Sequence, residues 1–136
     1  DNFSYSKKNV LRGLHFQKNP KAQAKLVSVL KGEIFDVAVD LRKNSSTYMK
    51  WVFEILSEKK HNSLYIPEGF AHGFYVLSDS AYVMYKVNSH YSPEFDSGIV
   101  WNDMKLNISW PTLEPILSIK DQNLLSSKDQ GYDFNF

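Results

Sequence analysis

Apolar and polar residues alternate along most of the chain between Lys25 and Val87, and that leaves few folds open. In "KLVSVLKGEIFDVAVDLR" (25–42), Phe35, Val37, Val39 and Leu41 share one parity, and Ile34, Asp36, Ala38, Asp40 and Arg42 share the other. A period of two marks half-buried antiparallel strands. Gly32 in "LKGE" supplies a turn between two such runs. "TYMKWVFEIL" from Thr47 reads as a further strand, "SEKKHN" (57–62) as a loop, and "SLYIPEGFAHGFYVLS" as strand, turn and strand. "AYVMYKVNSHY" from Ala81 continues the pattern. Turn signals this frequent belong to sandwiches and barrels. After Pro111 the alternation fades and one or two short helices are expected. "LSIKDQ" and "LSSKDQ" echo each other there, but two short copies do not make a repeat architecture. No linker divides the 136 residues. The expectation is one all-β domain over 1–136, an antiparallel sandwich or barrel with a short irregular or helical C-terminal segment.

Composition narrows the function classes. The formal charge is +1 with acids and bases interspersed, so no basic block invites nucleic acid. The absence of cysteine excludes disulfides, thiolate metal sites and a cysteine nucleophile. No apolar run reaches membrane-spanning length and no signal-like N-terminus is present, which predicts a cytoplasmic protein without a membrane partner.

Parity also exposes a site. Lys25 shares a face with Val27 and Val29, His72 with Phe70, Phe74 and Val76, and Tyr85 with Val83 and Val87. Each alone has an ordinary explanation: a snorkelling lysine, a hydrogen-bonded core histidine, a tyrosine with its hydroxyl at a rim. An inward charge costs several kcal/mol unless paired or solvated, so three such residues on three strands predict a wet pocket. "VLRGLHFQ" (10–17) adds to it. Val10, Leu11, Leu14 and Phe16 suit a core, whereas Arg12 and His15 do not, and Gly13 could form a bulge between them. In His15-Phe16-Gln17 a glutamine stands where metal-binding barrels often carry a second histidine, and His61 and His90 lie in polar stretches. That is a poor ligand set for zinc or iron.

"RGLHFQ", "GEIFDVAVDLR", "IPEGFAHGF", the "YK" at 85–86, "WND" and "LSIKD", in this order from Asp1 to about Asp121, resemble the dTDP-4-dehydrorhamnose 3,5-epimerases, sugar-nucleotide epimerases of the cupin superfamily. The resemblance implies a cupin-type antiparallel jelly-roll barrel, a homodimer, no metal or other cofactor, and a dTDP-linked 4-keto-6-deoxy sugar as substrate. It implies inversion of carbons next to the C4 ketone, in dTDP-rhamnose biosynthesis. That reaction needs a base at the C–H, a cation at the enolate oxygen and an acid on the opposite face. By the same resemblance His15 is the base, Asp121 the carboxylate that orients it (with Asp129 as the echo), Lys25 the cation and Tyr85 the acid. Arg12 and His72 are implied as contacts to sugar and diphosphate, with Asn2, Asp96 and Lys120 as further substrate contacts. Tyr91 would stack on the nucleobase, and Gln17 would stand behind the contacts.

Two departures carry expectations. Family members usually begin upstream, with an acidic, Gly- and Phe-containing segment, and a chain starting at Asp1 is expected to be the weaker enzyme for it. His90 and Tyr91 stand where the family often has adjacent tyrosines, which predicts slower inversion at C5 than at C3. The rival readings are a C3-only epimerase, an epimerase of another nucleotide-linked keto sugar such as a GDP-heptose, a non-catalytic sugar-nucleotide-binding cupin, and a metal-dependent cupin oxygenase.

Overall fold

A computed structural model describes all 136 residues. Nine strands and one short helix follow one another: β1 (Asn2–Lys7), β2 (Leu11–Gln17), β3 (Lys25–Lys31), β4 (Glu33–Asp40), β5 (Trp51–Ser57), β6 (Ser63–Ile66), β7 (Phe70–Val76), β8 (Ser80–Val87), β9 (Asp96–Gly98) and α1 (Ile119–Gln122). Every strand pairing is antiparallel. One sheet runs β1-β8-β3-β6 and the other β5-β4-β7-β2-β9. They pack as a cupin-type jelly-roll barrel. Gly32, at φ +90°, marks the corner where the chain leaves the first sheet for the second. A Cβ there would strike the Ser80 backbone, so the corner requires glycine.

The expectation of half-buried strands needs correcting at β4. Its residues Ile34 to Asp40 are all buried. One face, with Ile34 and Ala38, meets Val27, Val29, Phe74 and Val83 in the barrel interior. The other, with Phe35, Val37 and Val39, joins a second core with Leu11, Leu14 and Tyr75, and this core is roofed by Ile99, Leu106, Trp110 and Phe134. The C-terminal segment therefore covers the outside of the five-stranded sheet. Asp103 fastens that cover by accepting hydrogen bonds from the Leu106 and Ser127 backbone N–H groups and from Ser127 Oγ, at 2.6–3.0 Å.

One further difference is local. The strand expected from Thr47 begins at Trp51, because residues 47–49 form a turn held by Asp40. Beyond Pro111 there is one short helix, the four-residue α1, within the expectation of one or two. No helix is long and apolar enough to cross a membrane.

Candidate active site

The barrel interior changes character along its strands. Two residues beyond Val27, Phe74 and Val83, the same inward faces carry Lys25, His72 and Tyr85. These residues line a cavity of about 340 Å³ together with Arg12, His15 and Gln17, and with Asn2, Tyr91, Asp96 and Lys120 around the rim. Ten of the eleven residues singled out in the sequence thus border one cavity. The eleventh, Asp121, lies directly behind His15.

A bulge explains how Arg12 and His15 reach the same cavity. They are three residues apart, and on a regular strand they would face opposite sides. Arg12 pairs with Phe74 and His15 with His72, so three steps along β2 match two along β7. The extra residue reverses the parity. Gly13 makes this possible. Its φ is +127°, and a Cβ would sit 2.6 Å from the Gly73 Cα. Leu11 and Leu14 remain in the outer core while Arg12 and His15 turn inward.

The bulge leaves the Gly13 N–H without a ladder partner, and Asp121 takes it. Asp121 Oδ2 accepts from Gly13 N at 3.1 Å, and Oδ1 lies 2.6 Å from His15 Nε2. The short helix α1 delivers this carboxylate, with Ser118 capping it through the Asp121 N–H. Burial by itself would raise the Asp121 carboxyl. The hydrogen bond and charge of His15, with the Gly13 N–H, outweigh it and hold the group below its ordinary value. An ionised Asp121 keeps the proton of neutral His15 on Nε2, which leaves Nδ1 as the free lone pair. Asp129 is exposed and engages Ser126 instead.

His72 forms a second such pair, which sequence reasoning missed. Its Nε2 lies 2.6 Å from Asp36 Oδ1, and Asp36 is fully buried. Burial pushes the imidazole below its ordinary value against the pull of Asp36, and the nearby Lys25 and His15 add to the fall. Neutral His72 therefore donates from Nε2 to Asp36 and keeps an acceptor on Nδ1. The signal for Asp36 was its place between Ile34 and Ala38 on one face, though Asp40 and Arg42 follow at the same parity.

Lys25 is the inward cation. Burial pushes its amine down from 10.5 to about 8, while Asp36 and Asp96 oppose the fall. Its Nζ lies 6.0 Å from the centre of the Tyr85 ring, and that ring meets His72 edge-on at 6.1 Å. His15 and His72 belong to the five-stranded sheet, Lys25 and Tyr85 to the four-stranded one. Two imidazoles thus stand on one wall, and a phenol with an amine beside it stands on the other.

The rim is polar. Arg12 Nε donates to Ser6 Oγ at 2.8 Å, which ties the guanidinium to β1. Lys120 Nζ pairs with Asp96 Oδ2 at 2.5 Å, and Tyr91 Oη donates to the same oxygen at 3.4 Å. That hydrogen bond to Asp96 raises the Lys120 amine. Gln17 is buried, with its amide on the backbone of loops 18–21 and 90–92. His90 is exposed, and its side chain is not part of the cavity wall. Nowhere do three His, Asp or Glu side chains gather as a metal ligand set.

The family model described as dTDP-4-dehydrorhamnose 3,5-epimerase matches residues 1–129. The dTDP-4-dehydrorhamnose 3,5-epimerase of Shigella flexneri is 54% identical over 132 residues, covering 97% of this chain and 73% of its own. The crystal structure of the enzyme of that name from Elizabethkingia anophelis superposes with a TM-score of 0.94 at 49% identity, over 96% of this chain and 73% of that one. The dTDP-6-deoxy-D-glucose-3,5-epimerase of Legionella pneumophila, solved with dTDP-4-keto-L-rhamnose, gives 0.88 at 50% identity, over 92% of this chain and 66% of that one. A family model over nearly the whole chain, with half the residues shared, places the chain in the dTDP-4-dehydrorhamnose 3,5-epimerase family.

Proposed function

We propose that the chain is an isomerase that inverts C3 and C5 of a dTDP-linked 4-keto-6-deoxyhexose, the epimerase step of dTDP-rhamnose biosynthesis. In this reading residues 1–136 are one catalytic domain acting in the cytoplasm. The observation that carries it is the opposed placement of His15 and Tyr85 across one cavity, with Lys25 beside Tyr85.

A hydrogen on a carbon next to a ketone is weakly acidic because the carbanion delocalises onto oxygen. His15 Nδ1 removes it as general base, and Asp121 stabilises the imidazolium that forms. Negative charge grows on the C4 oxygen, where Lys25 meets it. Tyr85 returns a proton from the opposite wall, and delivery to the opposite face inverts the carbon. Neutral His72, fixed by Asp36, accepts from a sugar hydroxyl. Arg12 and Lys120 bind the diphosphate, the first with forked donors and the second as a point charge. Tyr91 stacks on the base, and Asn2 and Asp96 border the ligand. The relatives it matches are named 3,5-epimerases and His90 is exposed outside the cavity wall, so this reading takes both carbons as inverted. A non-catalytic binder would have no use for an acid and a base on opposing walls.

The outer face of the four-stranded sheet supports a homodimer. Phe3, Tyr5, Tyr82, Leu26 and Tyr65 from all four strands lie exposed there, an apolar patch of the kind that marks association surfaces.

The test is incubation with dTDP-4-keto-6-deoxyglucose in deuterated water, followed by NMR. Deuterium at both C3 and C5 with inversion is expected. Label at C3 alone would favour the single-carbon reading, and no label at either would defeat both.

A further inference from the structure

Gln17, the last residue of β2, is 4% exposed, and its amide makes three hydrogen bonds. Nε2 donates to the Lys21 carbonyl at 2.6 Å and to the His90 carbonyl at 3.2 Å, and Oε1 accepts from the Ser92 N–H at 2.8 Å. The last two bonds bracket Tyr91. The His90 carbonyl shares a peptide plane with the Tyr91 nitrogen, and the Ser92 N–H shares one with the Tyr91 carbonyl. Peptide planes are rigid, so fixing both fixes the Tyr91 φ and ψ together. One buried side chain thereby sets the direction in which the Tyr91 side chain leaves the backbone, and the bond from Tyr91 Oη to Asp96 Oδ2 holds the far end of the ring.

The rest of the loop is held to the same end. Residues 88–92 lie between β8 and β9, outside both sheets. Asn88 Oδ1 accepts from the Ala24 N–H at 2.8 Å, and Gln23 Nε2 donates to the Ser89 carbonyl at 2.7 Å. Positions 88, 89, 90 and 92 are tied down, while the Tyr91 ring stands 61% exposed at the cavity mouth. A loop needing only closure could be tied anywhere. Here the ties converge on the residues next to an exposed ring.

We propose that Gln17 is a positioning residue for nucleotide binding, acting through Tyr91 by setting the ring for the base. The proposal rests on the reading of Tyr91 as the stacking residue. A preset ring spares the ligand the ordering of the loop, which is where preorganisation raises affinity.

The experiment is a double-mutant cycle on dTDP affinity by calorimetry, using wild type, Gln17→Met, Tyr91→Ala and the pair, with KM and kcat measured alongside. Methionine keeps the length of the side chain without its hydrogen bonds. Base stacking on an aromatic ring is worth about tenfold or more in affinity. Tyr91→Ala should weaken dTDP by that order and Gln17→Met by several-fold, and the pair should be no weaker than Tyr91→Ala alone. KM should rise with Kd while kcat changes less. Should the methionine variant not fold, Gln17→Glu gives the same reading, because it keeps the acceptor for Ser92 and loses the donor to His90. Additive losses, or unchanged affinity in the Gln17 variant, would overturn the proposal. If Tyr91→Ala binds dTDP as wild type does, the stacking role itself falls, and the proposal with it.

Discussion

Replacing Lys25 by methionine should make the protein more stable and far less active. The amine is pushed from 10.5 to about 8, chiefly by burial. That fall corresponds to about 3 kcal/mol by which folding disfavours the charged lysine. Methionine fills similar space without a charge and removes the penalty. The value of about 8 already includes the opposing pull of Asp36 and Asp96, and solvent screening of the half-buried side chain reduces the gain. A net gain of about 1–2 kcal/mol remains, or roughly 3–8 °C in Tm for a chain of this length. The sign with pH follows from the direction of the shift. Below about pH 8 both folded and unfolded chains carry the proton and the penalty is complete. Between about 8 and 10.5 the folded lysine releases its proton first, so wild type gains on the variant. The advantage of Lys25→Met should therefore be largest at neutral pH and gone near pH 10.5. Activity should fall by about 10² or more, the usual cost of removing a group that meets developing charge. The assay pairs thermal melts from pH 6 to 10.5 with turnover at neutral pH. A variant that is both inactive and less stable at pH 7 would refute the argument, since Lys25 would then be holding the fold rather than being strained by it.

Three further outcomes are expected. His15→Ala should keep its melting temperature within a few degrees and lose about 10² to 10⁴ in turnover, as loss of a general base typically does; near-normal turnover in the purified variant would remove His15 from the mechanism. Wild-type kcat/KM should fall about tenfold per pH unit above the Lys25 value of about 8 as the cation is lost, and a rate level to pH 10 would show that no cation is required. Gly13→Ala should lose stability by about 2 kcal/mol or more in denaturant melts, because its φ of +127° and the contact with the Gly73 backbone both exclude a side chain; unchanged stability would mean that the bulge relaxes easily.

The residues differ in how visible they were before the fold was known. Lys25, His72 and Tyr85 could be found by parity alone, because each sits two positions from a core residue on a regular strand. Arg12 and His15 resisted that reasoning, since parity sets them on opposite faces until the Gly13 bulge reverses one. Asp121 stands 106 residues from its partner on a helix of one turn, and only the family likeness pointed to it. Asp36 was overlooked because it shares parity with Asp40 and Arg42, which made that face look solvated. That face is buried because the four-stranded sheet lies against it, and the opposite face of β4 is buried by the segment beyond residue 99, which has no periodicity to announce it. Alternation reports that a face is apolar; it does not report what packs on it.

The most direct test of the opposed-wall mechanism is to follow inversion and isotope exchange together in deuterated water with Tyr85→Phe. Phenylalanine keeps the ring and removes the proton that Tyr85 would deliver, leaving His15 to remove and return protons on its own side. The account predicts that deuterium still enters the substrate while net inversion slows by a much larger factor. Exchange and inversion slowed equally, or inversion unimpaired, would contradict it.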